Sequence, residues 1–345
     1  IMPTPAGEGT MFQLYAKMRN ENLIGVGLGG ATTNIYSIYD GKFVRSVSAN
    51  LGMSYSICNV LKEAGMENIK RWIPFDIDEK DILNQLRNKM IRPTTIPQTL
   101  ERLMIEHAVA REALRLGFKH HKSLARPLAG KRQEIDVGRI LEEVKKEMGE
   151  TYIEMLRINC IGGTGGLLSH APRRAQSALI LTDGFQAEGV ALLFVDSIFM
   201  MPHLGVLSTV HPEAAYEVFE RDCVVRLGTC IAFSGSTKDV GKKVADIEVT
   251  MPDGEVVTKE PAYGSISKVP LGVSEKATVR IRPVSGFDAG AGPGRQLVKD
   301  VEGGEVGIIM DARGRPLELP TDDKERKARL KEWFRALDMY PRLPA

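Results

Sequence analysis

The spacing of apolar residues at the start of the chain predicts a helix followed by three short strands. The helix is predicted over residues 10–19, and the strands over residues 23–28, 34–39 and 43–48. Asp40 and Gly41 separate the second strand from the third, and such a dipeptide between two apolar runs is a strong hairpin signal. The pattern therefore predicts a β-meander that begins near residue 23.

The stretch that follows the meander is mostly helical in its pattern. Helices are predicted over residues 52–65, 81–90, about 95–115 and 140–148. The third of these keeps a helical spacing of apolar side chains, and Gly117 marks its end. Residues 52–150 are therefore predicted to form a helical insertion between strands.

The remainder of the chain returns to strands and then becomes β-rich. Strands are predicted over residues 155–161 and 190–195, and helices from about residue 172 and over residues 212–221. Beyond residue 222, short apolar runs are separated by glycine turns, which is typical of a small β module. We predict an α/β fold with a lobe over residues 1–222, a barrel-like β-rich module over 223–321 and a helical tail over 322–345.

Composition excludes several classes of partner. Lys and Arg number 46 against 44 Asp and Glu, a formal charge of +2 that gives no electrostatic argument for binding nucleic acid or a membrane. The four cysteines contain no C-x-x-C pair, so neither a disulfide framework nor a zinc site is expected. No apolar run approaches the roughly 20 residues of a spanning helix. A cytoplasmic protein with no metal site and no covalently bound cofactor is expected.

Two glycine-rich stretches are the candidate binding motifs. The first contains Gly29, Gly30, Ala31, Thr32 and Thr33. The second contains Gly162, Gly163, Thr164, Gly165 and Gly166. Glycines at a hairpin tip let backbone N–H groups approach an anion, and bare backbone after a strand leaves room for a base or sugar. Either stretch could also be an ordinary tight turn, because turns need glycine for steric reasons.

The order and spacing of these motifs resemble a known superfamily. "LIGVGLGGATTNIYSIYDGKFV" resembles the second phosphate motif of the actin-like ATPases, which have a ribonuclease H-like fold, and "RINCIGGTGG" resembles their adenosine motif. "GGTGGLLSHAPRRAQSALILTDGFQAEGVALLFVDSIFMMPHLGVLS" is similar to the glutamate mutase accessory family of MutL or GlmL type. "PTPAG", "LGMSYS" and "DARGRPLELP" also look like its longer members. The resemblance covers nearly the whole chain.

The resemblance implies an actin-like ATPase lobe that binds ATP or ADP with Mg²⁺. It also implies a chaperone-like role as an accessory or reactivating factor, with the subunits of an adenosylcobalamin-dependent mutase as partners. In the superfamily a first phosphate motif precedes the meander, and nothing before Leu23 supplies it. Since the chain also begins Ile1-Met2, we expect it to be the C-terminal portion of such a protein, with the N-terminal lobe on the same precursor or on a separate chain.

Two departures from the superfamily pattern bear on activity. An acidic residue usually stands just ahead of the hairpin glycines and a second after the threonines, but this chain has Gly27 and Asn34 there. Neither residue can act as a general base or offer an anionic oxygen to magnesium. Reduced or absent ATPase activity is therefore expected, and no catalytic residue is assigned. An active phosphotransferase or ATPase, and a degenerate structural or interaction protein, remain alternatives.

Further residues near these motifs are candidates for phosphate or partner contacts. The possible phosphate or partner contacts are Asn34, Ser169, His170, Arg173 and Arg174. The possible partner segment contains Asp196, Met200, Met201, Pro202 and His203, because Met-rich surfaces adapt to partners, although core methionines are more common. We also expect Gly163→Val to block the base pocket without changing the fold. Asp311, Arg313 and Arg315 predict a salt-bridged turn.

Overall fold

The computed structural model describes residues 2–126 and 151–344. The helix predicted over residues 140–148 lies outside the described residues. Ten α-helices occur in the described ranges: α1 Thr4–Arg19, α2 Ile57–Ala64, α3 Met66–Lys70, α4 Glu79–Ile91, α5 Leu100–Leu124, α6 Gly166–Ser169, α7 Arg174–Phe185, α8 Met201–Leu207, α9 Pro212–Val218 and α10 Asp323–Ala336.

Twelve strands occur in the same ranges. They are β1 Leu23–Leu28, β2 Thr33–Tyr39, β3 Lys42–Ser48, β4 Cys160–Thr164, β5 Gly189–Asp196, β6 Val224–Ala232, β7 Ala245–Thr250, β8 Val256–Lys259, β9 Ile266–Val269, β10 Lys276–Pro283, β11 Leu297–Glu302 and β12 Ile308–Asp311. The predicted meander is confirmed, since β1, β2 and β3 pair antiparallel in that order.

The main sheet has eight strands in the order β3-β2-β1-β4-β5-β6-β12-β9. Strand β1 pairs parallel with β4, and β4 pairs parallel with β5. An antiparallel meander continued by parallel strands, with the helical segments α2 to α5 between β3 and β4, is the arrangement expected from the resemblance of the glycine motifs to the actin-like, ribonuclease H-like lobe. The α/β class is therefore confirmed.

The sheet continues past the domain boundary predicted at residue 222. Strands β6, β9 and β12 extend the same eight-stranded sheet, so the backbone hydrogen bonding is continuous across that point. The rest of the β-rich part is an open four-stranded antiparallel sheet in the order β11-β10-β7-β8, rather than a closed barrel. The structure contains the short strands predicted after residue 222, and the division of the chain into three parts remains a prediction.

Helices cover both faces of the main sheet. On one face α1, α8 and α9 pack around an aromatic cluster that includes Phe12, Tyr15 and Phe194. On the other face lie α5 and α7, within the larger core. Every residue of β5 is buried, as expected for a strand covered on both sides.

Two predicted elements differ from the structure at their bounds. Helix α1 begins at Thr4 rather than near residue 10, because Pro5 lies within its first turn, where a missing N–H is tolerated. The strand predicted over residues 155–161 lies later, as β4, so Gly162 and Gly163 belong to the strand itself. Paired glycines in a sequence usually indicate a turn, so the sequence pattern alone does not show that these two lie within a strand.

The salt-bridged turn predicted at Asp311 is confirmed and is fully buried. Asp311 accepts hydrogen bonds from Arg313 Nε at 2.8 Å and from Arg315 at 2.6 Å. Arg313 also donates to Asp183 on α7 at 2.7 Å. Although burial raises the pKa of Asp311, the two arginines outweigh it and hold that pKa below its ordinary value. This network joins the end of β12 to α7.

Within the described ranges, no helix has the length and apolar character needed to cross a membrane.

Candidate functional site

The first glycine motif forms the turn between β1 and β2. Gly29 N–H donates to Thr32 O at 2.9 Å, which closes the turn, and the carbonyls of Gly29 and Gly30 accept from Met53 and Ser54, each at 2.9 Å. In the part of the chain that the structure describes, the N–H groups of Gly30, Ala31 and Thr32 have no acceptor. The tip is at least partly exposed, so it offers three donors to an anion.

The two threonines of this motif differ in environment. Thr32 is partly exposed at the tip. Thr33 is fully buried, and its hydroxyl donates to the carbonyl of Leu51. Thr32 can therefore face an anion, whereas the Thr33 hydroxyl is committed to the fold.

Some glycines of the second motif are packed in the core, and one is accessible from solvent. A Cβ on Gly162 would meet Phe194 and Phe12, and one on Gly163 would lie 2.9 Å from Leu168 Cδ1 and 3.3 Å from Leu181 Cδ2. Gly165, at φ +105, places its backbone against the carbonyl of Leu28, which no side chain would permit. Gly166 is exposed, with open space where a Cβ would be. Gly163→Val would thus disturb the core, contrary to our expectation of an intact fold.

Both glycine turns open onto one cleft of about 800 Å³. Gly29, Gly30 and Gly166 form part of its lining, together with His170 and Arg173. The opposite wall comes from the helical insertion, with apolar side chains that include Ile96, Leu100 and Leu103. A cleft of this size, mostly apolar with a few polar groups, is typical of small-molecule sites.

The remaining candidates after the second motif have separate roles. His170 and Arg173 are exposed at the cleft, and Arg173 donates to the carbonyl of Asp338 at 2.8 Å. Arg174 instead donates to the carbonyl of Ser169 at 2.7 Å, and the buried Ser169 hydroxyl donates to the carbonyl of Asp196. Ser169 and Arg174 therefore hold the loop, whereas His170 and Arg173 can reach a ligand.

The possible partner segment is mostly internal. Met201 and Pro202 are buried, and a Cβ on Gly7 of α1 would lie 2.5 Å from the carbonyl of Pro202. Helices α1 and α8 therefore cross in backbone contact. Met200 is half-buried and His203 is exposed, so these two are the members of the segment that a partner could touch.

A row of four positions ends the neighbouring strands β2, β1, β4 and β5 on the face covered by α1. Gly27 pairs with Asn34 on one side and with Thr164 on the other, and Asp196 follows the last position of β5 that pairs with β4. Asn34, Thr164 and Asp196 are all buried. Asn34 Oδ1 and Thr164 Oγ1 have no hydrogen-bond partner among the described residues.

Glu8 of α1 covers this polar row, and sequence reasoning missed it. A Cβ on Gly27 would lie 2.5 Å from Glu8 Oε2, so the Glu8 carboxyl occupies the space that an acidic side chain at position 27 would fill. Glu8 is 2% exposed and accepts a hydrogen bond from the Tyr36 hydroxyl at 2.6 Å. Burial raises the pKa of Glu8, and nearby Asp196 adds to that effect, whereas Tyr36 and Asn34 oppose it.

A signal for Glu8 is present in the sequence. Glu8, Met11, Phe12 and Tyr15 follow a helical spacing of three and four residues, and all four are buried. An acidic residue within an otherwise apolar helix face indicates a buried polar contact. That pattern was hidden because the helix was predicted to begin only at residue 10.

Asp196 is fixed at the end of β5 by the loop that follows. Its carboxylate accepts from the N–H of Met201 at 2.9 Å and of Ile198 at 3.2 Å. Burial nevertheless raises its pKa. Within residues 2–126 and 151–344, no group of three or more His, Cys, Asp or Glu side chains is placed to hold a metal ion. The row with Glu8 contains two carboxylates, an amide and a hydroxyl.

Comparison with known proteins places the chain in a family. The family described as "MutL protein" matches residues 1–223. A curated relative, Protein MutL of Clostridium tetanomorphum, is 22% identical over 252 residues, which cover 64% of this chain and 50% of the relative. The chain thus spans about half the length of that relative.

Among solved structures, the activator of the 2-hydroxyisocaproyl-CoA dehydratase from Clostridium difficile with bound ADPNP overlaps 62% of this chain and 68% of its own. The sequence identity is 10% and the TM-score 0.29, a likeness too low to bear on function. The family match, by contrast, extends over well more than half of the residues. The chain therefore belongs to the MutL protein family, the family that the segment from Gly162 to Ser208 resembles.

Proposed function

We propose that the protein is a chaperone-like accessory or reactivating factor for an adenosylcobalamin-dependent mutase of the glutamate mutase type, and that its cleft binds ATP or ADP. Membership of the MutL family and the resemblance of its motifs support the partner class. We propose a cytoplasmic location for it. The N-terminal lobe expected from the resemblance stays a prediction.

The observation that carries the nucleotide proposal is the meeting of both glycine turns at one cleft. The hairpin turn offers the N–H group of Gly30 at the cleft, with the N–H groups of Ala31 and Thr32 next to it along the chain, and Arg173 adds a cation at the same cleft. The exposed, side-chain-free Gly166 and the apolar wall leave room for a flat base. Phosphate donors and a base slot in one cavity favour a nucleotide over an apolar ligand.

We propose that hydrolysis by this lobe is slow or absent. Glu106 is the carboxylate that lines the cleft among the described residues, and it is paired with Lys89 at 3.2 Å on the helical wall. Glu8, whose carboxyl fills the space beside Gly27, is buried between α1 and the sheet and accepts a hydrogen bond from Tyr36. Neither carboxyl is free at the hairpin to activate a water, which disfavours an active phosphotransferase.

Nucleotide binding is tested with Gly166→Leu, because the structure shows open space at that position. The added side chain should fill the cleft without touching the core, so the variant should fold and bind ADP or ATP at least tenfold more weakly than the natural protein. Ala328→Leu, on the exposed side of α10, is the matched control and should bind normally. Calorimetry with and without Mg²⁺ measures the affinity. Absence of nucleotide binding by the natural protein would favour the structural or interaction alternative.

The partner proposal needs a functional assay with the full-length gene product. A glutamate mutase-type enzyme is inactivated with hydroxocobalamin and then given excess adenosylcobalamin and ATP. Recovery of mutase activity should depend on the added protein and on nucleotide. Equal recovery without the protein would refute the accessory role, whatever the nucleotide affinity of the cleft.

A further inference from the structure

A histidine of α5 lines the cleft and has one nitrogen without a partner. His107 is 0% exposed and belongs to the lining together with Leu103. Its Nδ1 is 2.7 Å from the Tyr340 hydroxyl, whereas its Nε2 has no hydrogen-bond partner among the described residues. A buried polar atom without a partner destabilises the empty protein, and a hydrogen bond to a bound ligand removes that cost. The Nε2 atom is therefore a group that a ligand in the cleft can satisfy.

Burial keeps the His107 ring neutral. It lowers the pKa of His107 from 6.5 to about 3, and the positive charge of Arg111, one turn further along α5, acts in the same direction. Arg111 is fixed in this position, because its guanidinium donates to Asp183 at 2.7 Å and to the His107 carbonyl at 3.2 Å. In a neutral imidazole one nitrogen donates a hydrogen bond and the other accepts one. The ring therefore acts on a ligand through a hydrogen bond and not through charge.

The Tyr340 hydroxyl determines which nitrogen of His107 carries the proton. Tyr340 is buried, and in the part of the chain that the structure describes its hydroxyl proton has one acceptor, His107 Nδ1. The positive charge of Arg111 acts on the hydroxyl oxygen and favours the orientation in which the O–H proton points away from the guanidinium. If Nδ1 carried a proton, the Tyr340 proton would be buried without an acceptor. The ring proton therefore lies on Nε2, which makes that atom a donor.

The segment that carries Tyr340 is held at the edge of the cleft. Gln176 on α7 donates to the carbonyl of Met339 at 2.7 Å, and Arg173 donates to the carbonyl of Asp338 at 2.8 Å. The residue after Tyr340, Pro341, lines the cleft itself. Tyr340 is therefore held against His107 by the contacts of its neighbours along the chain.

An N–H donor in an apolar wall suits a flat ring that carries an acceptor atom. Ile96, Leu100 and Leu103 line the cleft with His107 and offer a surface for an aromatic ring. Purine rings carry nitrogen acceptors at their edges. A site that must pair a buried polar group discriminates strongly against an analogue that lacks the matching atom. The Nε2–H group therefore fits a purine base that lies against this wall.

We propose that His107 Nε2–H donates a hydrogen bond to a ring nitrogen of a purine base bound in the cleft, and that Tyr340 is the positioning residue that keeps the proton on Nε2. This assignment rests on the proposed nucleotide binding and adds the side chain that recognises the base. Helix α5 and the C-terminal segment after α10 thus contribute to a site that the glycine turns alone do not complete.

The test on the protein compares two amide replacements of His107. In His107→Asn the side-chain oxygen takes the place of Nδ1 and accepts from Tyr340, but no group reaches the place of Nε2. In His107→Gln an amide N–H reaches the place of Nε2. Calorimetry should show that His107→Asn binds ATP about tenfold more weakly than the natural protein, and that His107→Gln keeps most of the affinity. His203→Asn, at an exposed histidine of α8 outside the cleft lining, is the matched control and should bind normally.

Analogues of ATP identify the acceptor atom. The 1-deaza, 3-deaza and 7-deaza analogues each replace one purine ring nitrogen with C–H. One of them should bind the natural protein about tenfold more weakly than ATP does, and His107→Asn should bind that analogue and ATP equally. Tyr340→Phe, which cannot donate to Nδ1, should reduce the same discrimination. A purely structural role of Tyr340 would leave the discrimination unchanged and would contradict its positioning of the proton.

The outcomes separate this proposal from the proposed function. Circular dichroism of each variant reports folding, and the comparison of ATP with an analogue within one variant isolates recognition from stability. Equal affinity of the natural protein for ATP and all three analogues, or unchanged ATP affinity in His107→Asn, would overturn the role of His107 and indicate that water pairs with Nε2. ATP binding by the natural protein would in that case still support the nucleotide function. If the natural protein binds no ATP, both proposals fail.

Discussion

The contact between Gly27 and Glu8 gives the sharpest prediction for stability. In Gly27→Ala the new methyl group would lie 2.5 Å from Glu8 Oε2, and ordinary contacts begin near 3.4 Å, so the carboxyl must move by about 1 Å. Because Glu8 is buried, we expect a shift of that size to lengthen or break its 2.6 Å hydrogen bond from Tyr36. Overpacking and the lost hydrogen bond together should lower the free energy of unfolding by about 2 kcal/mol.

The same substitution should be harmless once the carboxyl is removed. In a Glu8→Ala background, Gly27→Ala meets no obstacle and should be neutral or stabilising by about 0.5 kcal/mol, because alanine loses less entropy than glycine in a strand. The double-mutant cycle should therefore show a coupling energy of about 2 to 2.5 kcal/mol. Urea unfolding of the four proteins in EDTA measures it. A coupling energy below about 0.5 kcal/mol would refute the placement of Glu8 over Gly27.

Two further predictions concern buried charges. Asp311→Asn should lower the free energy of unfolding by about 3 to 5 kcal/mol, since it leaves buried arginines without their partner. The control Asp246→Asn removes one partner of an exposed ion pair and should leave the urea midpoint unchanged. Equal effects of the two substitutions would contradict a stabilising role for the buried network. Burial lowers the pKa of His121 from 6.5 to about 4, so the unfolded chain binds the extra proton and stability falls as pH drops from 6.5 to 4. His121→Gln should reduce that slope by up to about 1.4 kcal/mol per pH unit in urea titrations, and an unchanged slope would exclude His121 as its source.

Local sequence patterns were sufficient to predict the elements that bury one face and expose the other. The β-meander, the long helix α5 and the charged helix α10 follow from apolar spacing and turn residues, because each buries one face against its neighbours. The same patterns could not place β4 or the start of α1. Gly162 and Gly163 carry no side chain to show a strand period, and their place inside β4 depends on Phe194, Leu168 and Leu181.

The candidate site shows the same division. The two glycine motifs follow from their order and spacing in the sequence. The sequence does not show which of their ten residues are accessible to a ligand and which are packed in the core. The structure separates them: Gly29, Gly30 and Gly166 line the cleft, whereas Gly162 and Gly163 serve packing and the Thr33 hydroxyl serves the fold. Which side of a strand a residue faces, and what meets it there, depends on long-range contacts that local spacing does not contain.

By itself, the sequence determined the class of fold, the family and the absence of an acidic side chain at position 27. Only the tertiary structure decided what that absence means. Glu8 is 19 residues away from Gly27 along the chain, and its carboxyl reaches that place because α1 packs across the sheet and a glycine in β1 leaves room for it. The sequence shows which charged residues the chain contains, but their positions depend on how the helices pack on the sheet. Here the packing of α1 places the Glu8 carboxyl beside Gly27, where the sequence itself has no acidic residue.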